Sequence, residues 1–89
     1  MIEQADFAIN PSAELRERQR AVLTVMRLFG PCTDEELFLT YRNSALPRQS
    51  ASGLRSRRAE LVKLGIVEKT GEKRRMKSTG NRANVWRVV

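Results

Sequence analysis

The sequence contains no histidine and a single cysteine, Cys32. With one cysteine the chain forms no intrachain disulfide, and without histidine a structural zinc site is not expected. General acid–base chemistry would have to use carboxylates. The only dense acidic group, Asp34–Glu36, directly follows Thr33, a position where capping of a helix accounts for it. We therefore expect a protein that is not an enzyme and that needs no metal or other cofactor.

Long hydrophobic runs are also missing. No stretch approaches the roughly 20 apolar residues that a membrane-spanning helix needs. The N-terminal segment MIEQADFAIN is acidic and lacks the charged start and apolar block of a secretory signal peptide. The sequence therefore predicts a cytoplasmic protein that makes no membrane contacts.

Acidic residues are scarce in the second half of the chain. Residues 1–47 carry five Arg and seven Asp/Glu, whereas residues 48–89 carry twelve Lys/Arg and three acids. The two parts have formal charges of −2 and +9, within a total of +7. Folding does not require this division, because like charges on one surface repel. An idle basic surface is one interpretation, but such clustering favours a polyanionic partner such as nucleic acid.

The chain of 89 residues is long enough for one domain with a modest core. We expect residues 1–11 to form an N-terminal arm and residues 12–89 to form the domain. The apolar surfaces that the core of the domain does not need are the first helix and three residues of the arm, Ile2, Phe7 and Ile9. They predict a homodimer, because a small domain offers a short contact surface that symmetry doubles.

The first predicted helix begins at Ala13, with Ser12 or Asn10 as its cap. Gly30 and Pro31 end this helix in the expected order, glycine as the C-terminal cap and proline just beyond. Its apolar residues recur at helical spacing: Leu15, Val22, Leu23, Val25, Met26 and Phe29.

A second, shorter helix is predicted in the stretch TDEELFLTY. Thr33 with Glu36 three residues later forms a capping box, and the acids favour the positive end of the helix. Leu37, Phe38 and Tyr41 supply its inward face.

The third predicted helix runs from Ala51 to Leu64, capped by Ser50 and ended by Gly65. At 100 degrees per residue, one side is apolar: Ala51, Leu54, Leu61, Val62 and Leu64. The opposite side is small and basic: Ser52, Arg55, Ser56, Ala59 and Lys63. Arg57 and Arg58 fall on the apolar side, so they must snorkel, pair with the acids of the second helix, or reach a phosphate.

The outward side of this third helix suits the major groove of DNA. Small residues allow close approach, and Arg and Ser supply hydrogen-bond donors for bases and phosphates. A merely solvated face is the alternative. Solubility alone would usually mix in acids, and Glu60 is the only acid in this helix.

A β-hairpin is predicted after Gly65, with IVEKT and ANVWRVV as its strands. The segment GEKRRMKSTGNR between them would form a basic tip, with Gly71 and Gly80 marking the turns. Trp86 and Val88 share one face of the second strand. Trp86 is interpreted as a core residue and not as a platform for stacking bases, because the strand needs an apolar face.

The predicted order of three helices and a hairpin resembles the winged helix-turn-helix family. The resemblance covers about residues 12–89 and rests on TDEELFLTY, LPRQSASGLRSRRAELVKLGIVEKTG and NRANVWRVV. The segment RRAELVKLGIVEKTG is the most characteristic part, and the chain is similar to small regulators of phages and actinobacteria. The resemblance implies an α+β fold with a C-terminal hairpin wing, major-groove contact by the third helix, backbone contact by the wing, and frequent dimerisation.

Together, the residues and the resemblance predict a sequence-specific binder of double-stranded DNA, a transcriptional regulator such as a repressor. The alternatives are an architectural or recombination directionality factor, a winged-helix module that binds proteins, and an RNA-binding protein. The candidate residues on and just before the third helix are Arg48, Gln49, Ser50, Ser52, Arg55, Ser56 and Arg58. The candidates in the hairpin are Lys73, Arg74, Arg75, Lys77 and Arg82.

Overall fold

The computed structural model describes residues 15–89, which form three α-helices followed by an antiparallel β-hairpin. The elements are α1 (Glu17–Phe29), α2 (Asp34–Tyr41), α3 (Ala51–Lys63), β1 (Val67–Arg75) and β2 (Arg82–Val88). The predicted α+β fold is confirmed, with β1 and β2 as the wing of a winged helix layout. The predicted arm and the expected caps Asn10 and Ser12 lie outside the described residues. None of the described helices is long and apolar enough to cross a membrane.

Helix α1 starts later than its apolar pattern indicates. Arg16 is the N-cap in an extended conformation, so the expected start at Ala13 is wrong. The extended backbone carries Leu15 into the core, and the Arg16 N–H donates to Gln19 Oε1 at 2.9 Å. The predicted end is confirmed, because the chain leaves the helix at Gly30 with φ of 92°, a value that favours glycine.

Helices α2 and α3 carry the caps that the sequence predicts. Thr33 Oγ1 accepts from the Glu36 N–H at 3.1 Å, and the Thr33 N–H donates to Glu36 Oε1 at 3.0 Å. Ser50 Oγ accepts from the Gly53 N–H at 3.0 Å. Each cap satisfies first-turn donors that have no partner within the helix. The caps therefore fix where α2 and α3 begin.

The core lies between the three helices and the base of the wing. Its most deeply buried side chains are Val22, Met26, Cys32, Leu37, Leu54, Leu61, Val67 and Val85. Trp86 packs against this core, as predicted, but it is only half-buried. The neighbouring residue of β2, Val85, is fully buried, with 0% exposure. The prediction that Leu64 lies in the core is wrong, because Leu64 follows the last residue of α3 and is 51% exposed.

The wing is longer in β-structure than the sequence predicts. Val67 pairs with Val88 and Lys69 with Trp86, and after a register shift Lys73 pairs with Asn84. Gly71 lies within the shift at φ of 91°, which lets the strand continue through an irregular section. The predicted tip from Gly71 to Arg82 is therefore too long, and the loop is confined to residues 76–81.

Cys32 forms a bridge to β2 that the sequence does not indicate. Its N–H donates to the Trp86 carbonyl at 2.9 Å, and the Trp86 N–H donates to the Cys32 carbonyl at 2.8 Å. Burial, followed by the charges of Glu36 and Asp34, raises the pKa of the Cys32 thiol to about 12. The bridge ties the segment before α2 to the wing, so the N-terminus of α2 lies beside the hairpin.

Candidate nucleic-acid interface

The outward face of α3 is the first part of the candidate interface. Leu54 and Leu61 face the core, so Ser52, Arg55 and Ser56 are turned to solvent, as the helical periodicity predicts. Arg55 makes no hydrogen bond or ion pair with any other described residue in the structure. This face therefore offers one guanidinium among small side chains.

The turn before α3 is fastened to the helices. Gln49 Nε2 donates to Tyr41 Oη at 2.9 Å and to the Arg18 carbonyl at 3.2 Å, while Tyr41 Oη donates to the Pro47 carbonyl. Arg48 is exposed, and its carbonyl accepts from Arg18. Gln49 was predicted to contact DNA, but the structure uses its amide nitrogen to hold the turn in place.

Arg58 turns back toward the protein. Its Nε and Nη2 donate to the two Asp34 carboxylate oxygens at 2.9 and 2.6 Å, and its guanidinium lies 3.9 Å from the centre of the Trp86 ring. Of the three possibilities left open by the sequence, pairing with an acid of α2 is the one observed. Arg58 thereby joins α2, α3 and β2, and its bidentate geometry favours a fixed position.

Within β1, alternating side chains separate the basic residues of the wing. Lys73 and Arg75 are exposed, whereas Arg74 is half-buried and donates to Glu36 Oε1 at 2.7 Å. Arg75 also donates to the Gly80 carbonyl at 2.7 Å across the loop. Sequence analysis treated these residues as one group on a loop, but the strand gives them different surroundings.

The tip of the wing is held by α2. The backbone N–H groups of Lys77 and Ser78 donate to Glu35 Oε1 and Oε2 at 3.0 and 3.1 Å. Hydrogen bonding from the Ser78 side chain, and then from the two backbone amides, lowers the pKa of the Glu35 carboxyl. The Lys77 side chain remains exposed to solvent. The tip is thus a basic loop with a defined attachment.

Asp34, Glu35 and Glu36 have a role that sequence analysis missed. The capping interpretation is correct for Glu36. The three carboxylates also accept hydrogen bonds from other elements: Asp34 from Arg58, Glu35 from the wing tip, and Glu36 from Arg74. The available signal was that the only dense acidic cluster lies in a chain with a large basic excess. What could not be predicted is that the bridge at Cys32 places the cluster beside the wing.

A cleft of about 600 Å³ lies between α2, α3 and the wing, and we refer to it as the basic cleft. Four predicted residues line it: Arg55, Arg58, Lys73 and Arg82. A neighbouring cleft of about 660 Å³ is lined by Arg48, Gln49 and Ser50, and the two clefts share Phe38 and Ala51. The other candidates line neither cleft: Ser52, Ser56, Arg74, Arg75 and Lys77.

Cationic side chains outnumber carboxylates in both clefts: the basic cleft has four against Asp34 and Glu35, and the neighbouring cleft has Arg42 and Arg48 and no acid. Arg and Lys side chains from two separate elements face a common space, an arrangement that suits a ligand with several negative groups. Within residues 15–89 there is no cluster of His, Cys, Asp or Glu side chains placed to hold a metal ion.

Comparison with known proteins gave no match among protein-family models, curated proteins or solved structures. The resemblance to the winged helix-turn-helix family therefore rests on the sequence motifs and on the layout of helices and hairpin.

Proposed function

We propose that this protein binds double-stranded DNA sequence-specifically and acts in the cytoplasm as a transcriptional regulator. In this proposal α3 enters the major groove and the wing lies along the phosphate backbone. The observation that carries it is the convergence of Arg55 from α3 with Lys73 and Arg82 from the wing on the basic cleft. Two elements that present cations to one space match a ligand with charge on both sides of a groove.

The shape of α3 supports its assignment as the recognition helix. Ser52, Ser56 and Ala59 are exposed and small, so they allow the helix backbone to approach base edges. Arg55 lies among them and has its guanidinium donors available for a guanine or a phosphate.

The partners of the acids nearest the basic cleft support the same proposal: one acid is in an ion pair, and the other accepts backbone hydrogen bonds. Asp34 and Glu35 line it, but Asp34 is paired with Arg58 and Glu35 with the backbone of the wing tip. Their negative charge is therefore partly compensated within the protein. Lys73, Arg55 and Arg82 remain to set the sign of the potential there.

Selection of bound duplexes from a random DNA pool tests the proposal. We expect one enriched sequence, and we expect affinity for it to fall steeply as salt rises, because phosphate contacts release counterions. A palindromic sequence would indicate that a dimer binds. Binding without enrichment would favour an architectural factor, and preference for RNA over duplex DNA would contradict the proposal.

A protein-interaction module is a second candidate, favoured by an apolar surface at the end of α1. Leu28 and Phe29 are 84% and 47% exposed and line a cleft of about 270 Å³ with Val25, Thr40 and Ser44. Exposed apolar patches often mark contacts with other proteins. Binding of a protein partner there would change little with salt and would be lost in Leu28→Asp.

A further inference from the structure

The outer part of the wing is joined to its base by an irregular section. We define the outer wing as residues 73–84, beyond the register shift between Lys69 and Lys73. Three residues of β1 in this shift lie opposite Val85 alone, and Gly71 among them has a positive φ. An interrupted ladder resists bending less than a regular one, so its position depends on contacts beyond the strands.

Those contacts come from two neighbouring residues of α2. Among the described residues, every hydrogen bond between the outer wing and the helices has Glu35 or Glu36 as its acceptor. Glu36 receives the flexible side chain of Arg74, whereas Glu35 receives two consecutive backbone N–H groups, those of Lys77 and Ser78. A backbone contact fixes the path of the loop more directly than a long side chain does.

We propose that Glu35 is a positioning residue for the wing: its carboxylate fastens the tip to α2 and so holds Lys73 and Arg82 across the basic cleft from Arg55. The inference rests on the proposed function, since it assigns a consequence for DNA binding. It differs from the capping role of the acidic cluster, because Glu35 takes no part in the capping box of Thr33 and Glu36.

The physical reason is preorganisation. A loop that is already placed when DNA arrives loses less conformational freedom on binding, so more of the contact energy appears as affinity. The negative charge of Glu35 has the opposite effect, since it repels phosphates. A test must therefore remove the attachment and leave the charge in place.

Glu35→Asp meets this requirement, because it keeps the charge and the preference for a helix N-terminus but shortens the side chain by one methylene. Glu17→Asp is the matched control: Glu17 is an exposed acid in the first turn of α1, the same kind of position, and it lies outside the wing and lines neither cleft. Glu35→Ala covers the case in which the shorter aspartate still reaches the amides. Circular dichroism and thermal unfolding establish that each variant is folded.

The first measurement is hydrogen exchange of the Lys77 and Ser78 amides in the protein without DNA. We expect exchange about tenfold faster in Glu35→Asp and in Glu35→Ala, given the strength of hydrogen bonds to charged acceptors. Glu17→Asp should exchange like the wild type. Unchanged exchange in both Glu35 variants would overturn the attachment itself, whether or not the protein binds DNA.

The second measurement is affinity for the selected duplex and for a random duplex. We expect Glu35→Asp to weaken both by a similar factor, about three- to tenfold, with Glu17→Asp unchanged. Faster amide exchange with wild-type affinity would show that the tip is attached but that its position does not matter to DNA. If the wild type bound no duplex, the proposed function and the DNA role of Glu35 would both fail, and the exchange result alone would describe the attachment.

Discussion

Arg55 and Arg58 show how neighbours decide the use of one residue type. The two lie three positions apart on α3, yet Arg58 is bound to Asp34 and stacked on Trp86, whereas Arg55 is exposed and uncommitted among the described residues. Stacking and bidentate pairing occupy both the face and the edge of the Arg58 guanidinium. We therefore interpret Arg58 as a residue that positions α3, and Arg55 stays the proposed contact with DNA.

Arg55→Ala should weaken binding to the selected site by about 1–3 kcal/mol and reduce discrimination at one base position, the usual effect of losing a base contact. Binding to the selected duplex and to single-base variants measures both effects. Lys63→Ala, at the other end of the same exposed face, is the control and should lower affinity equally for all sequences. An equal loss on every sequence for Arg55→Ala would make Arg55 a phosphate contact.

Glu60 predicts a dependence of stability on pH. Hydrogen bonds from Arg57 and then from Gln19 lower the pKa of Glu60 from 4.5 to about 2. As the pH falls, the unfolded chain therefore takes up the proton first. The stability that Glu60 contributes is present above about pH 4.5 and is lost as the pH falls toward 2.

Denaturation with urea at pH 6 and at pH 2.5 should show this contribution by comparison with Glu60→Gln. We expect the wild type to lose more stability than the variant between these two values, by less than about 1 kcal/mol because the ion pair is partly exposed. Equal losses would mean that the carboxylate of Glu60 does not stabilise the fold.

Among the elements, the wing has two parts that are held in different ways. The base of the wing packs against the core through Val67 and Val85. Its outer part is attached to α2 by hydrogen bonds to Glu35 and Glu36. The strand pleat directs Arg74 toward α2 and leaves Lys73 and Arg75 exposed. The basic residues of the wing thus differ in their availability to DNA.

The double variant Lys73→Ala with Lys77→Ala should weaken binding to selected and random DNA by similar factors. It should also lower the slope of log affinity against log salt by roughly 0.9 for each phosphate contact, about 2 in all. Stability should stay within about 0.5 kcal/mol of the wild type, since both side chains are exposed. A salt titration on both duplexes measures the slope.

Arg27→Ala with Lys69→Ala is the control, because it removes the same charge from exposed positions that line neither cleft. The control should change the slope less than the wing variant does. Equal slopes for the two double variants would show that net charge, and not the outer wing, governs binding.

At the scale of the whole molecule, the basic clefts and the apolar surface of α1 involve largely different residues. Leu28 and Phe29 line neither the basic cleft nor the neighbouring cleft. A dimer formed through α1 would leave the proposed DNA-contacting residues available and would double the proposed contact area on DNA. The contribution of the arm to such a dimer remains a prediction from the sequence.

We expect sedimentation velocity to show a concentration-dependent homodimer that Leu28→Asp abolishes. Burying a charge without a partner in an apolar contact is unfavourable, which is why aspartate is chosen. Leu64→Asp, at an exposed leucine outside this surface, is the control and should dimerise like the wild type. A wild-type protein that stays monomeric at high concentration, both alone and on DNA, would contradict the expectation.

Local signals in the sequence were enough to predict the number, order and type of the described elements. Local chemistry fixes these features: Thr33 and Ser50 cap their helices through nearby amides, Gly30 ends α1, and the apolar periodicity of α3 selects Leu54 and Leu61 for the core. Each depends on residues within a few positions of one another, so the pattern in the chain contains the cause. The charge division between the halves is likewise a property of the sequence.

Which charged groups meet depends on tertiary packing and could not be predicted from local signals. Arg58 and Asp34 are 24 residues apart and Glu35 and Ser78 are 43 apart, and no periodicity relates such positions. They come together because the bridge between Cys32 and Trp86 places the start of α2 against the wing. The same long-range packing separates the exposed cations Arg55 and Lys73 from Arg58 and Arg74, whose charges are held within the protein.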